Sequence, residues 1–274
     1  MRPAAPSRIL IVGVNWLGDA VMSAPAVTVL RRRLPGAHVA MLARASVAPL
    51  WALCGAVDEV LVAPERGALA WACGPLHRQR FDRAYVFPNS FRSALLPWLA
   101  RVPIRQGLRG HAPRSGLLTD TVTLLPGPGR EHQMNEYFEI VGLEAERDRW
   151  ELPLLHARAA DLLAAQQRLE GLDGACTAGP GWIAMFPGAA HGPAKRWPAA
   201  RFACVARAAL AEWGCRTLLL GSGADAPACG DVERQASGAA VNLAGRTPLA
   251  ATAALLSLCR AAVANDSGGM HLAA

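Results

Sequence analysis

The sequence predicts an α/β protein built from two doubly wound, Rossmann-like domains. Short apolar runs, of the kind that parallel sheets bury on both faces, recur along the chain. Each leads into a stretch with apolar residues at helical spacing, and this strand–helix rhythm occurs twice. The length of 274 residues suffices for two domains of ordinary size, and a hydrophobic content of 52% supplies their cores.

Residues 1–7 read as a loose tail and residues 8–14 as the first buried strand. Residues 15–19 form a loop with Gly13 and Gly18 at its edges. Helical spacing follows over residues 20–34, with Val21, Ala24, Val27, Leu30 and Leu34 on one face, and stops at Pro35-Gly36. Residues 39–42 and Glu59–Val62 are the next strands, with a helix at residues 46–53 between them. A strand over residues 82–87 runs into Pro88-Asn89-Ser90, and Ser90 is placed to cap a helix over Phe91–Leu99. Residues 102–110 form a basic segment, residues 131–142 a helix, residues 150–155 an extended linker and residues 157–170 a further helix. The second alternation puts strands at Trp182–Phe186, 217–220, 240–243 and 261–264, with helices between them, one of them over Ala199–Trp213. Thr247 is expected to cap the last complete helix, with Pro248 at its first position. The chain ends at Ala274 inside a helical pattern that begins near Gly269, so the second domain is expected to be cut short. The expected division is residues 1–175, including the linker, and residues 176–274.

A formal net charge of +7 favours anionic partners: nucleotides, phosphorylated lipids or an anionic membrane surface. Nucleic acid is the weakest of the anionic options, because the chain has no RNA-binding aromatic signature, no zinc-finger spacing and no lysine-rich tail. The seven cysteines are scattered without a Cys-x-x-Cys, which reads as reduced thiols in the cytoplasm. The histidines show no His-x-x-x-His, and no zinc site is expected. No uncharged apolar segment reaches the roughly 18 residues of a membrane span, so any membrane contact is peripheral.

The chemistry centres on residues 186–198, Phe-Pro-Gly-Ala-Ala-His-Gly-Pro-Ala-Lys-Arg-Trp-Pro. A strand enters this glycine-containing loop and a helix leaves it, a setting that suits a phosphate or diphosphate, with a solvated turn as the plain alternative. Lys195 is the only lysine in the chain, so one compact ammonium stands here among arginines. In residues 265–271, Ser267, Gly268 and Gly269 offer N–H groups to phosphate oxygens, His271 lies one turn on, and Asp266 suits sugar hydroxyls. The plain alternative there is an ordinary cap with a packed histidine. Residues 220–225 form a third strand-end loop, where Ser222 lines a nucleotide pocket or sits in a simple turn. In residues 15–19, Asp19 is either a helix cap or a general base held ionised by the helix end. Arg101, Arg105, Arg109 and Arg114, with His111, form a basic patch, read as a solvated face or as an anchor for acceptor carboxylates or phosphates. No Asp-x-Asp occurs, which argues against holding a nucleotide diphosphate through a divalent metal.

Four segments together resemble the bacterial lipopolysaccharide heptosyltransferases of glycosyltransferase family nine, most closely the branch that adds the second heptose. They are residues 15–19 with Met22-Ser23, residues 85–96, residues 187–198 with Gly-Pro-Ala-Lys-Arg-Trp-Pro, and residues 242–247 with 265–274. The resemblance implies a GT-B fold with two Rossmann-like domains facing a cleft. It implies metal-independent, inverting transfer of L-glycero-D-manno-heptose from ADP-heptose to heptosyl-Kdo-lipid A, with no cofactor, at the cytoplasmic face of the inner membrane. By the same resemblance Asp19 is the catalytic base. Lys195, Ser222, Thr247, Asp266, Ser267, Gly268 and His271 serve the donor, and Asn89, Ser90 and Arg109 the acceptor. Residues 1–175 are then the acceptor domain and residues 176–274 the donor domain. Another heptosyltransferase of the family is the near alternative. A nucleotide-binding reductase is remote, since Gly-x-Gly-x-x-Gly and its downstream acid are missing. A catalytically dead binding module would have lost Asp19 or Lys195, and both are present.

Overall fold

The computed structural model describes residues 7–124, 132–148, 155–173, 181–189 and 193–274. The chain divides into two compact units, residues 1–156 and 157–274.

In the first unit the elements run β1 (Arg8–Val12), α1 (Leu17–Arg33), β2 (His38–Ala43), α2 (Ala48–Trp51), β3 (Glu59–Val62), α3 (Ala68–Trp71), β4 (Arg83–Val86), α4 (Phe91–Leu99), β5 (Ile104–Leu108), α5 (Ala112–Ser115), β6 (Asp120–Val122) and α6 (Met134–Val141). The six strands form one sheet in the order β3-β2-β1-β4-β5-β6, all parallel. That order reverses direction between β1 and β4, the place where doubly wound sheets open a crevice for ligands. Ile9, Leu10 and Ile11 are fully buried, as expected of a central strand covered on both faces. One side of the sheet packs Leu10, Val12, Ala84 and Val86 against Leu76, Ala94 and Leu96 from the flanking helices.

In the second unit the elements are α7 (Ala159–Asp173), β7 (Trp182–Phe186), α8 (Ala199–Trp213), β8 (Arg216–Leu219), α9 (Ala226–Gln235), β9 (Ala240–Asn242), α10 (Leu249–Ser257), β10 (Cys259–Ala264) and α11 (Gly268–Ala273). The parallel sheet has the order β10-β7-β8-β9, so its own reversal lies between β7 and β10.

Four differences from the sequence reading have physical causes. Helix α1 starts at Leu17, not at residue 20, because the extended Trp16 begins it without any side-chain cap. The basic segment at 102–110 contains strand β5, and β6 follows it; both carry polar side chains and lie toward one side of the sheet. Thr247 is not the cap of α10: Pro248 occupies that place, and the Thr247 hydroxyl accepts a hydrogen bond from Thr252 Oγ1 at 3.0 Å. The domain boundary falls after His156 rather than at 175, because α7 buries Ala165 and Leu169 against Trp182, Leu218 and Leu255 of the second unit. Most of the expected 150–155 linker lies outside the described residues.

Candidate functional site

In the first unit, chemistry-bearing residues gather where β1 and β4 end. Asp19 is the third residue of α1, half-buried, and is therefore not the helix cap. Its charge favours the positive end of the helix dipole. The carboxylate is felt on α6, which packs against α1. Burial first, then the negative charge of Asp19, and then Glu139, push the Glu136 carboxyl above its ordinary range. Tyr137 is shifted up by the same two leading causes, its hydroxyl accepting a hydrogen bond from Gln133 Nε2 at 3.0 Å. Its ring lies 5.0 Å from that of Phe87, at the end of β4, so α6 closes the back of this crevice.

Ser90 caps α4 as expected: its hydroxyl accepts from the Ser93 N–H at 3.2 Å. Asn89 and Arg109 are exposed. Asn89 lies beside Gly110, where a Cβ would stand 2.9 Å from Asn89 Oδ1. The expected basic patch disperses. Arg114 is 0% exposed, and its guanidinium donates to the backbone oxygens of Leu108 and Pro88, the latter at 3.2 Å. Arg105 donates to Leu117 O at 2.7 Å and Val102 O at 2.5 Å. Only Arg101, Arg109 and His111 of the five remain exposed. The sequence reading missed the role of Arg114, which ties the loop carrying Asn89 and Ser90 to the end of β5. Gly107 and Gly110 make room for it, since a Cβ on either would lie 3.2 Å or 3.1 Å from the Arg114 side chain.

In the second unit the two loops expected to bind a donor come together at the β7 and β10 ends. Lys195 Nζ donates to Asp266 Oδ2 at 2.5 Å. Lys195 holds the Asp266 carboxyl below the usual range, by hydrogen bond and by charge, and His271 adds to the effect. Asn265, buried, pins the arrangement: its amide donates to Pro187 O at 2.7 Å, and its oxygen accepts from the Trp197 N–H at 3.1 Å. The sequence placed Asn265 in the motif without giving it that task. Ser267 begins α11 in an extended conformation, its side chain making no cap bond, and Gly268 follows half-buried.

The glycines here serve the protein's own packing. A Cβ on Gly188 would sit 2.0 Å from Asp225 Oδ1, and one on Gly269 would sit 2.4 Å from the Phe186 ring. Asp225 in turn accepts from the Ser222 N–H at 2.9 Å and the Ser222 hydroxyl at 2.7 Å, a capping box. Ser222 therefore takes the turn role that stood beside its donor role. Thr247 is half-buried at the foot of α10. Among the described residues no group of three or more His, Cys, Asp or Glu is placed to hold a metal, and no helix is long and apolar enough to cross a membrane.

The sequence profile of glycosyltransferase family 9 (heptosyltransferase) matches residues 74–274. Lipopolysaccharide heptosyltransferase 2 of Salmonella typhimurium is 34% identical over 282 residues, which cover 97% of the chain and 79% of that relative. The Escherichia coli protein of the same name matches with the same identity and coverage. Among solved structures, that of E. coli ADP-heptose LPS heptosyltransferase II superposes with a TM-score of 0.81 at 32% identity, covering 97% of this chain and 81% of that one. A family 9 glycosyltransferase from Veillonella parvula, at 23% identity and a TM-score of 0.83 over 97% of this chain and 77% of that one, shares the fold. The expected GT-B class, two α/β units with parallel sheets, is the architecture these structures have in common.

Proposed function

The chain belongs to glycosyltransferase family 9, and from that premise we propose that it moves L-glycero-D-manno-heptose from ADP-heptose to the heptosyl-Kdo-lipid A inner core of lipopolysaccharide. The meeting of Lys195, Asp266 and His271 at the β7 and β10 ends carries the reading, because it sets an ammonium where a diphosphate is to be bound.

The acceptor hydroxyl oxygen attacks the anomeric carbon as the bond from that carbon to the diphosphate breaks, with inversion. Asp19 takes the hydroxyl proton, an effect worth about 10²–10⁴ in rate. ADP departs carrying the bonding pair. Lys195 and the backbone N–H groups at Ser267 and Gly268 meet the growing charge without a metal. Asn89, Ser90 and Arg109, at the ends of β4 and β5, serve the anionic acceptor. Ser222 and Thr247 border the donor in this reading, each also held by a bond within the protein, to Asp225 and from Thr252. The protein works on the cytoplasmic face of the inner membrane, where such a lipid acceptor is presented.

The test is ADP release with ADP-heptose and heptosyl-Kdo-lipid A, wild type against Asp19→Ala. Release that needs both substrates, and collapses in the variant while ADP-heptose still binds, supports the reading. Near-normal turnover by Asp19→Ala removes Asp19 as base. Wild-type turnover on Kdo-lipid A but not on its heptosylated form moves the enzyme to the first heptose.

A further inference from the structure

Two exposed aromatic side chains stand at the crevice of the first unit. Trp16, 57% exposed, opens α1 at the carboxyl end of β1, three residues before Asp19. Phe91, 44% exposed, opens α4 at the carboxyl end of β4, next to Asn89 and Ser90. Strands β1 and β4 are neighbours, and the sheet reverses direction between them. The chain leaves β1 toward β2 and leaves β4 toward β5, so right-handed crossovers put α1 and α4 on opposite faces. The packing agrees: among the described residues, Ala94 and Leu96 of α4 cover the face of Leu10 and Val12 without α1. Each ring therefore stands on its own side of the crevice. Trp16 also holds a place that stability would give to another residue. It directly precedes the helix, extended at φ −107° and ψ 143°, and its side chain makes no cap bond. Ser, Thr, Asp and Asn are favoured there. The other exposed indoles differ: Trp98 and Trp213 stand in the last turns of α4 and α8, and Trp197 packs edge-on against Phe202.

We propose that Trp16 selects the acceptor, its indole taking the apolar C–H face of the sugar ring whose hydroxyl Asp19 deprotonates, with Phe91 as the facing wall. A pyranose has an apolar face and a rim of hydroxyls. Such a ligand calls for an aromatic platform with a few polar groups around it. Asn15 and Asn89, both exposed, supply amides next to the two rings in the chain, and Arg109 a cation. Platform and base are three residues apart at the start of one helix, so a ring held by Trp16 lies next to the Asp19 carboxylate. An acyl chain would use the two aromatic rings but leave the amides and the carboxylate without a partner. The inference rests on the transfer proposed above and deepens it by naming what holds the acceptor sugar.

The test is steady-state ADP release by the whole chain, each substrate varied in turn, for wild type, Trp16→Ser and Trp16→Tyr. Trp16→Ser should raise the KM for heptosyl-Kdo-lipid A about threefold to tenfold. ADP binding, measured by calorimetry, should match wild type. Trp16→Tyr keeps an aromatic face and should recover most of the acceptor affinity. Trp16→Ser should also melt higher than wild type, because serine supplies the missing cap. A purely structural tryptophan would not give a more stable protein with a weaker acceptor site. Phe91→Ala should raise the same KM by a smaller factor. A wild-type acceptor KM in Trp16→Ser overturns the proposal. So does an equal rise in Trp16→Ser and Trp16→Tyr, or a matching loss of ADP binding. A second readout needs no turnover: saturation transfer by NMR from aromatic protons of the protein to the delipidated heptosyl-Kdo oligosaccharide. The signal should be strongest on the heptose ring in wild type and weaker in Trp16→Ser. If wild type turns over neither heptosyl-Kdo-lipid A nor Kdo-lipid A, the proposed function falls. The oligosaccharide signal then decides the platform alone: a signal that drops in Trp16→Ser supports it, and no signal in wild type overturns it.

Discussion

Lys195 Nζ lies 2.5 Å from Asp266 Oδ2, so the cation expected at the donor diphosphate is joined to the carboxylate expected at the donor sugar. Both side chains are about half exposed or more, and the pair is correspondingly weak in water. A diphosphate approaching Lys195 meets Asp266 as a competitor. Asp266→Asn should therefore tighten ADP binding about twofold to fivefold, while Lys195→Ala weakens it. The same Asp266→Asn should lower heptose transfer, because the sugar partner is lost. Calorimetric titration with ADP and a turnover assay separate the two effects, and an Asp266→Asn protein that binds ADP as poorly as Lys195→Ala would show that the carboxylate supports the nucleotide.

Glu136 gives a pH-dependent prediction. Its carboxyl is raised by burial, by Asp19 and by Glu139, so folding disfavours its charged form. An acid raised in the fold lowers stability above its folded pKa and has no effect well below the unfolded value of about 4.3. Glu136→Gln should raise the melting temperature at pH 8, and the gain should shrink toward zero as the pH drops below about 4. Melting curves across that range test it; a gain that persists at acid pH would put the cause in packing rather than charge.

Arg114 holds two backbone oxygens, on Leu108 and Pro88, from a fully buried position. Arg114→Met keeps the volume but removes the donor to Leu108 O, while Pro88 O keeps the Ser93 hydroxyl at 2.9 Å, at a cost of about 1–3 kcal/mol. Arg114→Lys cannot span both oxygens with a planar fork and should recover only part of the loss. Denaturant unfolding measures both variants. Because the tether reaches Pro88, Asn89 and Ser90 should also lose order, seen as faster amide exchange in residues 88–90 than in β1. A stability loss without that local change would mean that the tether does not position the loop.

Much of this was legible in the chain. The bounds of β3, α4, β7 and α8 follow from apolar runs, a serine cap and proline breaks, all of them local signals. Strand β5 was not legible, because Ile104–Leu108 carries arginine, glutamine and glycine and takes its identity from β4 and β6 on either side. The start of α1 was hidden because Trp16 begins the helix with no side-chain cap to announce it. The motifs at 187–198 and 265–271 were readable as chemistry, but their joint was not. Asn265 reaches the loop after β7 across 77 residues of sequence, a contact that no local pattern encodes. The basic patch failed for the converse reason: four arginines and a histidine close in sequence look alike until the fold buries one arginine and bonds another to carbonyls.

Gly188 is the clearest case of a residue whose sequence reading and structural role diverge. The loop suggested a backbone left bare for a phosphate, yet the nearest obstacle to a Cβ is Asp225 Oδ1, at 2.0 Å. That carboxylate has little freedom to withdraw, because its other oxygen accepts from both the N–H and the hydroxyl of Ser222. Gly188→Ala should therefore destabilise the second unit by about 1–3 kcal/mol, the range for overpacking. Shortening the neighbour should relieve the clash: Gly188→Ala combined with Asp225→Ser should be less destabilising than the two single losses added together, since residues in direct contact are coupled. If the losses simply add, Asp225 is not what demands glycine at 188. If Gly188→Ala folds with wild-type stability but no longer binds ADP, the glycine is there for the ligand after all.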